Sequence, residues 1–159
     1  GATLVGIHEV AVDAQALGIP AEGMNIGGTD EVKGIKVHMV QALHSAEKGN
    51  AAGVVVEMDG KRLYHAGDTA LFSDMKLIGE LYAPDVALLP IGGKFTMGPR
   101  EAMMAANLIG AKTVIPMHYS TWPAILQDPL AFRHAIERTT DLRVVVLSPG
   151  EGYEVTLTG

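Results

Sequence analysis

The chain has no cysteine, which excludes a disulfide framework and a thiolate-ligated metal and fits a reducing compartment. Aromatic side chains are scarce, with three Phe, one Trp and four Tyr in 159 residues. A stacking platform for single-stranded nucleic acid has little to be built from. Basic charge is short as well: 12 Lys and Arg stand against 18 Asp and Glu, a net charge of −6. No cluster of Lys and Arg makes the electrostatic footprint of a nucleic-acid surface. No apolar run reaches membrane-spanning length, and no basic-then-apolar signal segment opens the sequence. The expectation is a soluble, cytoplasmic protein that binds neither nucleic acid nor membrane.

What is present is a globular composition, with 48% hydrophobic and 19% charged residues. The length suits one domain, residues 1–159, with enough chain to bury a core. Residues 3–7 read as a short buried strand, and 8–17 as a helix closed by Gly18 with Pro20 beyond. Residues 23–29 read as a strand running into a turn, and 35–40 alternate as a strand does. Residues 54–58 and 61–65 flank Asp59-Gly60, the pattern of a β-hairpin. Strand and helix then alternate. A helix is expected over 71–81, and an apolar strand buried on both faces over 85–91. The loop 92–97 leads into a helix opened by Pro99 and ended by Gly110. A strand over 112–117, a helix over 130–138 and a closing hairpin, 142–147 against 153–157, complete the chain. There are no repeats, low-complexity segments or linkers. The class is α/β (α+β).

Three chemistry-bearing residues fall where strands stop. His44 follows the strand at 35–40, Asp68 ends Tyr64-His65-Ala66-Gly67-Asp68, and His118 follows the strand at 112–117. Histidine, aspartate and histidine on loops at sheet ends form a first shell suited to a transition metal. Each histidine alone is more often a hydrogen-bonded structural group. His65 either orients a ligand from behind or is a satisfied core histidine. His38 reads as a strand-face residue, His8 as a helix start and His134 as a solvated helix residue; none is expected to ligate. Lys94 and Arg100 either attract an anionic substrate or simply face water. Thr96 either caps the following helix or reaches the pocket. Tyr119 either hydrogen-bonds a developing oxyanion or packs. Met97, Met103, Met104 and Met117 read as core filler.

Four segments, in order, carry a resemblance. They are Gln41-Ala42-Leu43-His44-Ser45; Tyr64-His65-Ala66-Gly67-Asp68-Thr69; Leu89-Pro90-Ile91-Gly92-Gly93 with Phe95-Thr96-Met97-Gly98-Pro99; and Pro116-Met117-His118-Tyr119. Together they resemble the metallo-β-lactamase superfamily, and within it a branch of small metal-dependent hydrolases related to the ascorbate-phosphate lactonases. The resemblance runs over nearly the whole chain. It implies a four-layer αββα sandwich with two divalent metal ions where the sheets meet, zinc first, with manganese, iron and nickel as alternatives. It implies that His44 ligates the first metal, Asp68 bridges both as the residue at the catalytic centre, and His118 ligates the second. The implied reaction is attack of a metal-activated hydroxide on a small ester, lactone or phosphorylated metabolite.

The family's His-x-His-x-Asp-His motif, which supplies further ligands, does not occur in this sequence. The chain is therefore expected to be the C-terminal part of the fold, lacking roughly 60–70 residues of an ordinary domain. An N-terminal fragment carrying that motif would complete the site. An uncovered apolar face with open edges is expected to favour a homo-oligomer. The competing expectation is a truncated or degenerate module that binds metal or ligand, or oligomerises, without turnover.

Overall fold

A computed structural model of the chain describes residues 1–155. The first unit is β1 (Leu4–Ile7), α1 (His8–Ala16) and β2 (Ala21–Met24), with β1 and β2 paired in parallel. The neighbour of β1 thus follows it in sequence, across a crossover helix. The Gln15 side chain closes the unit by donating to the Ala21 carbonyl at 2.7 Å.

The second sheet takes its strands in chain order: β3 (Thr29–Val32), β4 (Ile35–Gln41), β5 (Ala52–Met58), β6 (Lys61–His65), β7 (Val86–Pro90), β8 (Thr113–Met117) and β9 (Arg143–Val144). Pairing is antiparallel from β3 to β6 and parallel from β6 to β9. The parallel steps are made by α2 (Met75–Tyr82), α3 (Pro99–Ile109) and α4 (Pro129–Glu137). Asp59 and Gly60 join β5 to β6 with φ of 52° and 73°, the left-handed pair of the expected hairpin turn.

Side chains alternate across each strand. On one face Val55, Tyr64, Ala87, Val114 and Val144 lie in register across five strands. They pack against Met75 and Ile78 of α2, Ala102, Ala105 and Ala106 of α3, and Phe132 and Ile136 of α4. On the other face Val37, Met39 and Val54 pack against Val5, Ile7 and Met24 of the two-stranded sheet. The far side of that small sheet is covered by Ala11 and Ala14 of α1. The layers run α1, two strands, seven strands, then α2 to α4. This is the αββα sandwich.

Three expectations are corrected. The helix expected over 71–81 begins at Met75; the residues before it are loop and turn. β3 was not expected, because Thr29-Asp30-Glu31-Val32 offers no apolar alternation. Its acidic residues suit an edge strand, where charge discourages further pairing. The closing hairpin is absent among the described residues. Within 142–147 only Arg143–Val144 forms strand, and it runs parallel to β8. Glu137 Oε1 accepts the Val144 N–H at 3.0 Å, and Val145 N–H donates to the Val114 carbonyl at 2.9 Å. The segment is thereby committed to its parallel neighbour. Residues 153–155 of the expected return are not strand, and 156–157 lie outside the described residues. No described helix is long and apolar enough to cross a membrane.

Candidate metal centre

β4, β6, β7 and β8 all run in one direction, so the loops leaving their C-terminal ends meet along one edge of the sheet. Open sheets of this kind present their sites at that edge. His44, Asp68, Lys94 to Thr96 and His118 each sit on one of those four loops.

The loops are tied together by Thr69, whose side chain is fully buried. Its Oγ1 accepts the Leu43 N–H at 2.9 Å and donates to the Ala70 carbonyl at 2.8 Å. Ala70 N–H returns a bond to the Leu43 carbonyl at 2.9 Å, and Met97 N–H donates to the Thr69 carbonyl at 3.0 Å. The residue before His44 is thus clamped to the residue after Asp68, and the loop after β7 joins at the same point. Sequence reasoning did not single out Thr69. Its partner lies 26 residues away, and only the fold brings the two together.

His118 Nε2 stands 3.4 Å from Asp68 Oδ2. That exceeds a good charge-assisted hydrogen bond of about 2.7–2.9 Å. It matches the separation of about 3.4 Å between two donors that each lie about 2.0–2.1 Å from a shared tetrahedral cation. His118 adopts φ of 53°, a left-handed backbone that non-glycine residues hold only where the surroundings enforce it. Its Nδ1 is buried with no hydrogen-bond partner among the described residues and lies against Gly92. A Cβ at Gly92 would fall 2.4 Å from the His118 carbonyl oxygen and 3.3 Å from Nδ1, so the position has no room for a side chain. The ring therefore offers Nε2 towards Asp68.

His44 is exposed. Its Nδ1–H donates to the Ser45 carbonyl at 2.8 Å, which fixes the tautomer and leaves the Nε2 lone pair open. Among the described residues no group of three His, Cys, Asp or Glu stands close enough to hold a metal ion. The structure thus brings Asp68 and His118 together and leaves His44 outside a three-donor cluster. The donor chemistry fits part of the shell of a divalent metal: a carboxylate and an imidazole at a ligand-like spacing, and a second imidazole with a free nitrogen.

The other expected residues divide. His65 Nδ1 accepts the Gly67 N–H at 3.1 Å, bracing the turn that carries Asp68. Burial holds the His65 pKa below its ordinary value, and the nearby Asp68 charge works against that shift. Lys94, on a left-handed backbone with φ of 45°, holds Nζ 5.4 Å over the Phe95 ring. Thr96 does not cap the next helix. The N-cap of α3 is Gly98, with Pro99 in the first turn and no side-chain cap, and Thr96 Oγ1 makes one long contact, 3.4 Å to the Met97 carbonyl. Tyr119 packs against the main core, and burial raises its hydroxyl pKa. His8 opens α1 and His134 lies on α4. His38 shares a hydrogen bond with Thr29 Oγ1 at 2.8 Å and rests on Tyr82, with ring centroids 4.6 Å apart. Neither Phe95 nor Trp122 was expected as a site residue; Trp122 stands beside His118, and Phe95 beside Trp122.

The domain family described as the β-lactamase superfamily domain matches residues 5–119. A UPF0173 metal-dependent hydrolase of Methanoregula boonei is 61% identical over 160 residues, covering 95% of this chain and 72% of the relative. One of the same name from Korarchaeum cryptofilum is 51% identical, covering 98% of this chain and 70% of the relative. Among solved structures, a metallo hydrolase of Ignicoccus hospitalis superposes with a TM-score of 0.90 at 44% identity, covering 95% of this chain and 67% of that one.

Proposed function

The chain belongs to the metallo-β-lactamase superfamily, and from that premise we propose that it is a metal-dependent hydrolase centred on Asp68, His118 and His44. The observation that carries the reading is the Asp68–His118 pair, 3.4 Å apart at the edge where the co-directional strands end. When bound, the metal pair supplies a hydroxide at neutral pH and polarises the scissile carbonyl or phosphoryl oxygen. Asp68 would hold both ions, His118 Nε2 would hold one and His44 Nε2 the other. Thr69 keeps the two ligand loops in fixed relation, and His65 braces the turn behind Asp68. Zinc suits this nitrogen and oxygen donor set, with manganese, iron and nickel as alternatives. The substrate class is a small ester, lactone or phosphorylated metabolite, and the setting is the cytoplasm.

Three donors cannot close two metal shells. The remaining donors are assigned to an N-terminal segment with the His-x-His-x-Asp-His pattern, and the chain alone is not the complete catalyst. A second reading, a module that binds metal or ligand or pairs with another copy without turnover, is favoured by one observation: no three-donor group forms among the described residues. Zinc analysis and an ester and lactone screen, with and without that segment, separate the two. Hydrolysis that needs the segment and is abolished by Asp68→Asn supports the hydrolase. Activity indifferent to Asp68→Asn and His118→Ala would sink it.

A further inference from the structure

The aromatic residues of this chain are few and unevenly placed. Of the three Phe, Phe72 and Phe132 lie in the core, whereas Phe95 is 51% exposed. The single tryptophan, Trp122, is 45% exposed. These two rings stand together beside the candidate centre. Trp122 meets His118 edge to face with centroids 6.0 Å apart, and Phe95 lies 6.2 Å from Trp122. Folding rewards burial of such rings, so a chain poor in them that leaves these two open at one place holds apolar surface available for a ligand.

The loops that carry them are built rather than loose. Ser120 N–H donates to the Ile125 carbonyl at 2.7 Å, and Ser120 Oγ bridges Gln127, donating to its carbonyl at 2.9 Å and accepting its N–H at 3.1 Å. Gln127 Nε2 then donates to the Gly92 carbonyl at 3.2 Å, joining the Trp122 loop to the Phe95 loop. Lys94, His118 and Ser120 all hold left-handed backbones, with φ of 45°, 53° and 57°. A cation completes the patch: Lys94 Nζ sits over the Phe95 ring.

We propose that Phe95 and Trp122 form an apolar subsite beside His118 that receives the aryl or acyl part of an ester or lactone carrying a separate carboxylate, with Lys94 answering that carboxylate's negative charge at the rim. The inference rests on the hydrolase reading and narrows it, favouring aryl or acyl esters and lactones over compact phosphorylated metabolites.

Trp122, as the single tryptophan, reports on the subsite by its own fluorescence. Phenylacetate is titrated against the 159-residue chain, with acetate and inorganic phosphate as comparators. A saturable change in emission with phenylacetate alone is expected, weakened about tenfold by Phe95→Ala and retained by Phe95→Tyr, as loss and retention of one ring contact require. Phe95 lies outside the core, and an unchanged thermal midpoint confirms that Phe95→Ala is folded. An unsaturable response, an equal response to acetate or equal affinity in Phe95→Ala overturns the subsite. Zinc uptake is measured on the same sample with a segment of the His-x-His-x-Asp-His pattern supplied, because the chain alone holds only part of the metal shell. Zinc binding without a phenylacetate response overturns the subsite and leaves the hydrolase reading standing. A phenylacetate response without zinc uptake supports the subsite and counts against that reading.

Discussion

At the scale of single residues, the position that decides most is one whose chemistry is inert. Thr69 ligates nothing, yet its hydroxyl satisfies the Leu43 N–H and holds His44 and Asp68 in relation. Thr69→Val keeps the shape and strands that donor, which costs about 1–3 kcal/mol. An unfolding free energy lowered by that amount, read as a lower denaturant midpoint at unchanged slope, is expected, with Thr69→Ser near wild type; equal stability of Val and Ser would refute the clamp. Acid acts on His65 with a definite sign. Its folded pKa lies below the ordinary 6.5, so the unfolded chain binds more protons than the folded one as pH falls. The stability it contributes is complete above about pH 6.5 and is lost below it. Burial lowers His38 in the same sense. Unfolding free energy measured from pH 8 to 5 should therefore drop, and His65→Gln should shrink the drop. Asp68 and His118 were legible as a pair because both residue types stand where co-directional strands stop. Thr69 was not, since a threonine in a loop carries no signal until its partner is brought near.

At the scale of elements, local chemistry predicted what local chemistry governs. The Asp59-Gly60 turn, the Pro99 opening of α3 and its Gly110 end were all readable, because each depends on residues a few positions apart. The failures share a cause. β3 has no alternation to read, and β9 looked like half of a hairpin until β8 and Glu137 claimed it. Packing between α2 and α3 was likewise hidden. A Cβ at Gly79 would fall 2.2 Å from the Ile109 carbonyl oxygen and 2.8 Å from its carbon. Alanine at a helical glycine gains about 1 kcal/mol from propensity, whereas forcing volume into a tight contact costs about 1–3 kcal/mol. The obstacle here is backbone, which cannot swing aside, so the cost wins. Gly79→Ala is expected to lower the thermal midpoint, and a rise would mean that the two helices slide apart without penalty.

At the scale of the molecule, the family was legible in four short segments in order, and the four layers followed as what that resemblance implies. What completes the metal shell, a segment of the His-x-His-x-Asp-His pattern, was an expectation from that resemblance alone. Asp68 and His118 stand 3.4 Å apart, and His44 lies on an exposed loop with its Nε2 open. A ligand that binds only the folded state stabilises it by RT ln(1 + [L]/Kd), about 2.7 kcal/mol at a hundredfold excess over Kd. Two or three donors give weak affinity, so millimolar zinc should raise the thermal midpoint of the chain by itself only slightly. A segment with the His-x-His-x-Asp-His pattern should make the shift large and saturating at two zinc ions per chain. Asp68→Asn should remove most of the shift, because the amide keeps the shape of the carboxylate but not its charge. His118→Ala should act the same way, and a chelator should reverse the wild-type shift. A zinc-induced rise of equal size in wild type and Asp68→Asn would place the ion elsewhere on this acidic surface. The assignment of Asp68 as the bridging residue would then fail, while the fold and family would stand untouched.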